Sequence, residues 1–280
     1  VTGQATICRC RPLLGTFVEI AVPESCAALI GAAFAAIERV HRLMSFHEPA
    51  SDLARLRAAP AGSIVGLDPE TITVLSEAKR LHGASEGLFD VTVGRQLVET
   101  GFLPNDGIGD ASQFGGTMED IVLIDRCSVW LTAKVLVDLG GIAKGYAVDR
   151  AVEALQERGV PEGSVNAGGD LRVFGSRAWP VALRDGDGEI RQVIEVRDCA
   201  VASSENRANR RTLDGQVETP HIGQDGRPLI ADVRVTVIAG TCLLADAMTK
   251  IALVDSELAG LLLDDDGVVL PPLAQLAECA

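Results

Sequence analysis

Apolar and polar residues alternate with a period of two over Gly15-Thr16-Phe17-Val18-Glu19-Ile20-Ala21-Val22, which predicts a β-strand. The period then changes. Leu29, Ile30, Ala33, Phe34, Ile37, Val40 and Met44 recur at helical spacing and predict a helix over residues 27–44, with Ser25 placed to cap it. Pro49-Ala50-Ser51-Asp52 ends that helix and caps a short one over 53–57. Asp68-Pro69-Glu70 opens another, running to about residue 86, with proline in its first turn. From Gly87 to Gly116 glycine and polar residues dominate, and 105–116 is expected to be a mobile loop. Strands are predicted over 121–125, 128–132 and 135–139. The last of these runs through Gly140-Gly141 into a helix over 143–158, ended by Gly159 and Pro161. Several strands fill 164–202, with Arg184-Asp185-Gly186-Asp187-Gly188 as a hairpin turn. A strand over 233–239, helices over 243–254 and 256–263, and a final strand over 268–270 complete the pattern. Strands and helices mix without regular β-α-β alternation. The expectation is an α+β fold, a mixed and largely antiparallel sheet with packed helices, in a single domain over residues 1–280.

Composition adds limits. Of the 280 residues 47% are hydrophobic and 23% charged, which suffices for a core and excludes a disordered chain. The formal net charge of −14 disfavours broad contact with nucleic acid or anionic lipid, since both are bound by neutralising phosphates. A diphosphate would therefore need a local device: a metal, a lysine or a helix N-terminus. The cysteines (Cys8, Cys10, Cys26, Cys127, Cys199, Cys242 and Cys279) are scattered without a C-x-x-C pair, so free thiols are expected rather than a zinc site or a disulfide framework. No apolar run is long enough for a membrane span, and no signal segment opens the given chain, which begins with Val. Cytoplasmic and periplasmic locations both stay open.

Three stretches carry candidate chemistry. In Val137-Asp138-Leu139-Gly140-Gly141-Ile142-Ala143-Lys144-Gly145-Tyr146-Ala147-Val148-Asp149 an apolar segment turns on two glycines into a helix with a lysine in its first turn. Helix-start amides with a nearby ammonium suit a phosphate, although neither the P-loop spacing nor G-x-G-x-x-G is present; the plainer reading is an ordinary turn with a surface lysine. Asn166-Ala167-Gly168-Gly169-Asp170, taken alone, reads as a hairpin turn. In Ala245-Asp246-Ala247-Met248-Thr249-Lys250 the Asp246 carboxylate lies on an otherwise apolar helix with Lys250 on the same face, either an exposed i,i+4 pair or a buried acid in need of a partner. Histidine is scarce, and only His221 lies outside the predicted helices and near turn chemistry.

The order of Leu14-Gly15-Thr16-Phe17, Met44-Ser45-Phe46-His47, Gly87-Leu88-Phe89-Asp90-Val91-Thr92-Val93-Gly94, the 138–149 segment, Asn166-Ala167-Gly168-Gly169-Asp170, His221-Ile222 and Ala245-Asp246 resembles the FAD:protein FMN transferases, the ApbE family, formerly described as thiamine biosynthesis lipoproteins. The resemblance spans about residues 13–263. It implies a T-fold-related architecture with a flavin cleft where the Gly140-Gly141 turn meets the Asp246 helix. The activity it implies is transfer of FMN from FAD to a Thr or Ser hydroxyl of a target protein, or hydrolysis of FAD. By position, it assigns FAD contacts to Leu14, His47, Leu88, Phe89, Asp90, Asp138, Lys144 and Ile222, with Lys144 toward phosphate. His221 or a carboxylate such as Asp246 would serve catalysis. Magnesium would be held by the Gly141 carbonyl, Asp246 and the side chain at position 250.

Four departures stand out. Leu14 replaces the usual Met, and His47 an aromatic residue. The segment after His221 is shortened. Lys250 stands where the family has a Thr or similar oxygen ligand, and a charged lysine has no lone pair to offer a metal. Two alternatives follow: an FAD-binding protein of weak or no catalysis in which Lys250 replaces the metal, and a structural or partner-binding member that has lost flavin.

Overall fold

The structure is a computed structural model and describes residues 5–185, 188–207 and 209–270. Gly186 and Asp187 of the expected hairpin turn, and Cys279, lie outside the described residues. Contacts group the chain into two compact units, each discontinuous in sequence.

The first unit comprises Val1–His41, Lys144–Glu205 and Asp232–Ala280. Its centre is an antiparallel seven-stranded sheet, built from β1 (Thr6–Leu13), β2 (Thr16–Pro23), β6 (Gly163–Ala167), β7 (Asp170–Phe174), β10 (Ala200–Ser204), β13 (Val235–Ala239) and β14 (Gly267–Leu270), hydrogen-bonded in that order. The strand predicted from alternation is β2, whose Val18, Ile20 and Val22 are fully buried. β1 was not foreseen: it is an edge strand whose residues are mostly exposed, so it carries no apolar alternation to read. β8 (Trp179–Arg184) and β9 (Ile190–Val196) form a separate ribbon.

Helix α1 (Ile30–Met44) buries Ile30, Ala33, Phe34, Ile37, Val40 and Met44, as its period requires. The cap expected at Ser25 gives way to a 3₁₀ turn over Glu24–Leu29 with no side-chain cap, and the α-helix starts only at Ile30. Helices α5 (Ala143–Gln156), α6 (Cys242–Ala252) and α7 (Ser256–Leu263) match the expected segments. α6 packs on β10 and β13, and so much of it is buried that its apolar pattern runs nearly all round.

The second unit comprises Arg42–Ala143 and Asn206–Ala231. It holds α2 (Asp52–Ala58), β3 (Ile64–Gly66), α3 (Pro69–Ala84), α4 (Gly94–Glu99), β4 (Ile121–Asp125), β5 (Ser128–Leu131), β11 (Arg211–Leu213) and β12 (Gln216–Glu218), with β3, β5 and β4 in one antiparallel sheet. The Ser51 hydroxyl accepts from the Ala54 amide and Asp68 from the Glu70 amide, so both predicted caps close their helices.

Two expectations are corrected here. Residues 135–139 are largely buried but join no sheet. Their neighbours' hydrogen bonds go to irregular backbone: Gly94 N–H to the Leu136 carbonyl, Gly116 N–H to that of Lys134, and Asp138 N–H to that of Val91. The polar stretch 105–116 is not loose, because Ile108, Ala111 and Phe114 pack with Phe46, Val98 and Leu136 in one buried cluster. Among the described residues the cysteines are free, and no helix is long and apolar enough to cross a membrane.

Candidate functional site

Four charged side chains of the first unit converge at the start of α5 and on α6. Lys144, in the first turn of α5, pairs with Asp170, the first residue of β7. Asp170 follows the Asn166-Ala167-Gly168-Gly169 hairpin, where Gly168 and Gly169 have φ of +67° and +105° and the Asn166 side chain accepts from the Gly169 amide at 2.9 Å. Thr16, just after the Leu14-Gly15 turn, presses on Gly168: a Cβ there would lie 2.5 Å from the Thr16 hydroxyl. The two hairpin turns therefore lie side by side, with Leu14 itself at φ +56°.

On α6, Asp246 is wholly buried. Its Oδ2 accepts from the Gly145 amide at 3.1 Å, one of the amides that the first turn of α5 leaves without a helical partner. Its Oδ1 accepts from Lys250 Nζ at 2.6 Å. The pair is thus buried rather than the exposed i,i+4 bridge that spacing alone would allow. Lys250 Nζ also donates to Ser204 Oγ at 2.9 Å, to Thr249 Oγ1 at 3.0 Å and to the Asp246 carbonyl at 3.2 Å. Thr249 in turn donates to that carbonyl at 2.6 Å and lies 2.7 Å from Ser204 Oγ.

Electrostatics sort these groups. Burial would raise the Asp246 carboxyl, but Lys250, Lys144 and the Gly145 amide outweigh it and hold it below its ordinary value. Burial and the Asp246 charge push the Asp170 carboxyl up, against the pull of Lys144 and Lys250. Lys144, which burial alone would lower, is held above its ordinary value by Asp246 and Asp170, so it remains a cation. The carboxylates are the deep members, at 0% and 4% side-chain exposure for Asp246 and Asp170, and the ammonium groups the shallower ones, at 19% and 34% for Lys250 and Lys144. A nominally neutral cluster thereby turns its positive side outward.

In the second unit Phe89 is buried, whereas Leu88 and Asp90 keep partial access to solvent. The segment is held from three directions. The Phe89 amide donates to Ser85 Oγ at 3.0 Å, the His82 ring lies 3.1 Å from the Phe89 carbonyl, and Gln224 donates to the Glu86 carbonyl. Gln224 belongs to the shortened segment after His221, which closes as a tight hairpin through an Ile222–Pro228 bridge and a Gly223 N–H to Arg227 carbonyl bond of 2.7 Å. Asp90 accepts from the amide and hydroxyl of Thr92, and the neighbouring Val91 carbonyl accepts from the Asp138 amide. Burial raises the Asp138 carboxyl, opposed by the Gly140 amide and by His47. The structure thus gathers His47, Leu88, Phe89, Asp90, Asp138 and the His221-Ile222 turn in one unit, and Leu14, Lys144, Asp246 and Lys250 in the other.

A profile of the ApbE family matches residues 14–266. The chain belongs to the ApbE family. It is 30% identical over 243 residues to the FAD:protein FMN transferase of Vibrio cholerae, covering 80% of this chain and 72% of that protein. It is also 30% identical over 268 residues to the FAD:protein FMN transferase of Rhodobacter capsulatus, covering 88% of this chain but only 50% of that one. Its fold matches the crystal structure of the ApbE protein of Thermotoga maritima with a TM-score of 0.83 at 27% identity, over 95% of this chain and 94% of the other. The α+β architecture with its antiparallel sheet is therefore an ApbE fold.

The sequence reading of this ApbE chain missed Asp170, Ser204 and Thr249 as members of the charged cluster. Asp170 looked like a turn residue, and its partner Lys144 is 26 positions away. Nor do the donors at positions 246 and 250 suit magnesium. One Asp246 oxygen is taken by an ammonium and the other by an amide, and the side chain at 250 brings a positive charge instead of a lone pair.

Proposed function

We propose that this chain moves FMN from FAD to a Thr or Ser hydroxyl of a target protein and releases AMP. The hydroxyl oxygen attacks the phosphorus on the riboflavin side of the diphosphate. The P–O bond to the AMP half breaks, AMP leaves with the bonding pair, and the hydroxyl proton passes to a base. Such a reaction needs positive charge at the transferring phosphoryl group and the leaving phosphate. The observation that carries this reading is the cluster of Lys144, Asp170, Asp246 and Lys250, with buried carboxylates beneath shallower ammonium groups, in a member of a family whose relatives are named FAD:protein FMN transferases.

Within this reading Lys144 meets FAD phosphate through donors not used by Asp170. Leu14, His47, Leu88, Phe89, Asp90, Asp138 and Ile222 are the remaining FAD contacts. His221 is the candidate base, and ionised Asp246 anchors the lysines. Relatives that carry the transferase name favour this over a weakly catalytic FAD binder or a member without flavin.

The test is to incubate the purified chain with FAD, follow AMP and FMN by chromatography, and look for ultraviolet-excited fluorescence of protein bands after denaturing electrophoresis with candidate targets. AMP release matched by a flavin-bearing band is expected. AMP with free FMN alone would assign hydrolysis instead, and no AMP under any condition would overturn the reading.

A further inference from the structure

The Lys250 ammonium is surrounded by oxygen. Asp246 Oδ1, Ser204 Oγ, Thr249 Oγ1 and the Asp246 carbonyl lie 2.6, 2.9, 3.0 and 3.2 Å from Nζ, on two elements, β10 and α6. A carboxylate, two hydroxyls and a carbonyl are the donor set a hard cation would draw on, but the separations are hydrogen-bond lengths. We propose that Lys250 is the resident cation of this site, so that the chain handles the FAD diphosphate without a divalent metal. This rests on the transferase reading for its substrate.

Three observations support the assignment. First, the oxygens are committed. Thr249 and Ser204 bond each other as well as Lys250, and the second Asp246 oxygen holds the Gly145 amide. Second, a divalent ion entering beside Asp246 would meet an ammonium at contact distance, and that repulsion is poorly screened at a site this deep. Third, a fixed cation on a side chain 19% exposed needs no recruitment, and its charge acts through space on a phosphate above it while its own hydrogens stay on the oxygens of the site. A lysine is a weaker point charge than a divalent ion. Lys144, held cationic by Asp170 and Asp246, is the second charge of the same cluster.

The test uses the whole chain and Mn²⁺ as the metal probe, read by electron paramagnetic resonance, with and without FAD. The wild type is expected to take up no stoichiometric Mn²⁺. Lys250→Thr, which restores a neutral oxygen, is expected to bind Mn²⁺ about tenfold tighter or more, the scale on which lesser changes around metal ligands already act. Lys250→Met, which removes the charge but keeps the reach, controls for loss of packing. AMP release by the wild type should be the same in EDTA as in Mg²⁺. Stoichiometric Mn²⁺ binding by the wild type, or AMP release abolished by EDTA and restored by Mg²⁺, would overturn the proposal. If no AMP forms in either buffer the transferase reading fails, while the Mn²⁺ titration of the wild type still decides the role of Lys250, whether or not the variants fold.

Discussion

Leu14 shows how a single residue can carry a cost that packing does not explain. Its φ of +56° lies in the left-handed region, which costs a non-glycine residue about 1–2 kcal/mol. The two-residue turn it shares with Gly15 is of the kind that favours Asn-Gly. A half-buried leucine kept there fits the FAD contact assigned to it. Leu14→Asn is expected to raise the melting temperature by about 2–4 °C per kcal/mol relieved, while weakening FAD binding. A thermal scan beside a flavin-fluorescence titration checks both, and a variant that binds FAD unchanged would remove Leu14 from the site. Lys144→Ala should cost FAD affinity on the order of 1.5–3 kcal/mol, the worth of a hydrogen bond to a charged group, read in the same titration.

Asp246 has a pH signature of known sign. Its folded value is depressed, because Lys250, Lys144 and the Gly145 amide outweigh burial. The stability it contributes is present above the unfolded value near 3.8 and is lost as pH falls through the lower folded value. Asp246→Asn should therefore flatten the acid limb of stability below about pH 4, in addition to a pH-independent loss of about 3–5 kcal/mol from stranding buried charge. Denaturant melts from pH 3 to pH 7 would show whether the limb changes slope.

Among the elements, α5 and α6 depend on each other. Asp246 of α6 receives the Gly145 amide in the first turn of α5. Asp149 of α5 receives the Cys242 and Leu243 amides, at 2.9 and 2.8 Å, at the start of α6, and is steadied by Arg172 of β7 at 2.6 Å. Each helix thus supplies a carboxylate to the positive end of the other. The crossing is possible because position 145 has no side chain: a Cβ there would run into the Cys242 carbonyl and lie 2.9 Å from Asp246 Cβ. Gly145→Ala should destabilise by about 1–3 kcal/mol through overpacking and should lower FAD turnover further by shifting Asp246. A variant that loses stability but keeps full turnover would separate this crossing from the site.

The same elements mark what a sequence can disclose. Asp246 and Lys250 were legible as a pair because helical spacing puts i and i+4 on one face. The Ser204 hydroxyl 46 positions away, and the bonds from Asp149 across 93 and 94 positions, have no local signature. α1, α3 and β2 were legible because each buries one face. β3, β11 and β12 are three residues each, too short to show a period, and α4 begins at a glycine. Residues 135–139 carry the apolar run of a buried strand yet pair with irregular backbone, which composition cannot distinguish.

At the scale of the whole molecule, neither unit is a continuous piece of chain. The second is built from 42–143 and 206–231, and the link between them is concrete: Arg211 donates to the Gly101 carbonyl at 2.6 Å and stacks over Phe102 at 4.7 Å. A fragment ending at 143 would lack these contacts and the Gln224 brace on Glu86. The two segments of this unit are accordingly expected to open together, and native-state hydrogen exchange in which 206–231 loses protection well before 42–143 would contradict this.

The Asp149 clamp also turns one sulfur atom into a clock. Cys242 is fully buried at the clamped end of α6, and burial pushes its thiol well above its ordinary value, whereas Cys8, Cys10 and Cys127 are exposed. A pulse of thiol reagent should modify the exposed sulfurs at once and reach Cys242 only in molecules whose α5–α6 junction has opened. Mass spectrometry of the Cys242 peptide over time would then count openings of that junction in the native protein, and saturating FAD should slow the count if the ligand seats on the same two helices.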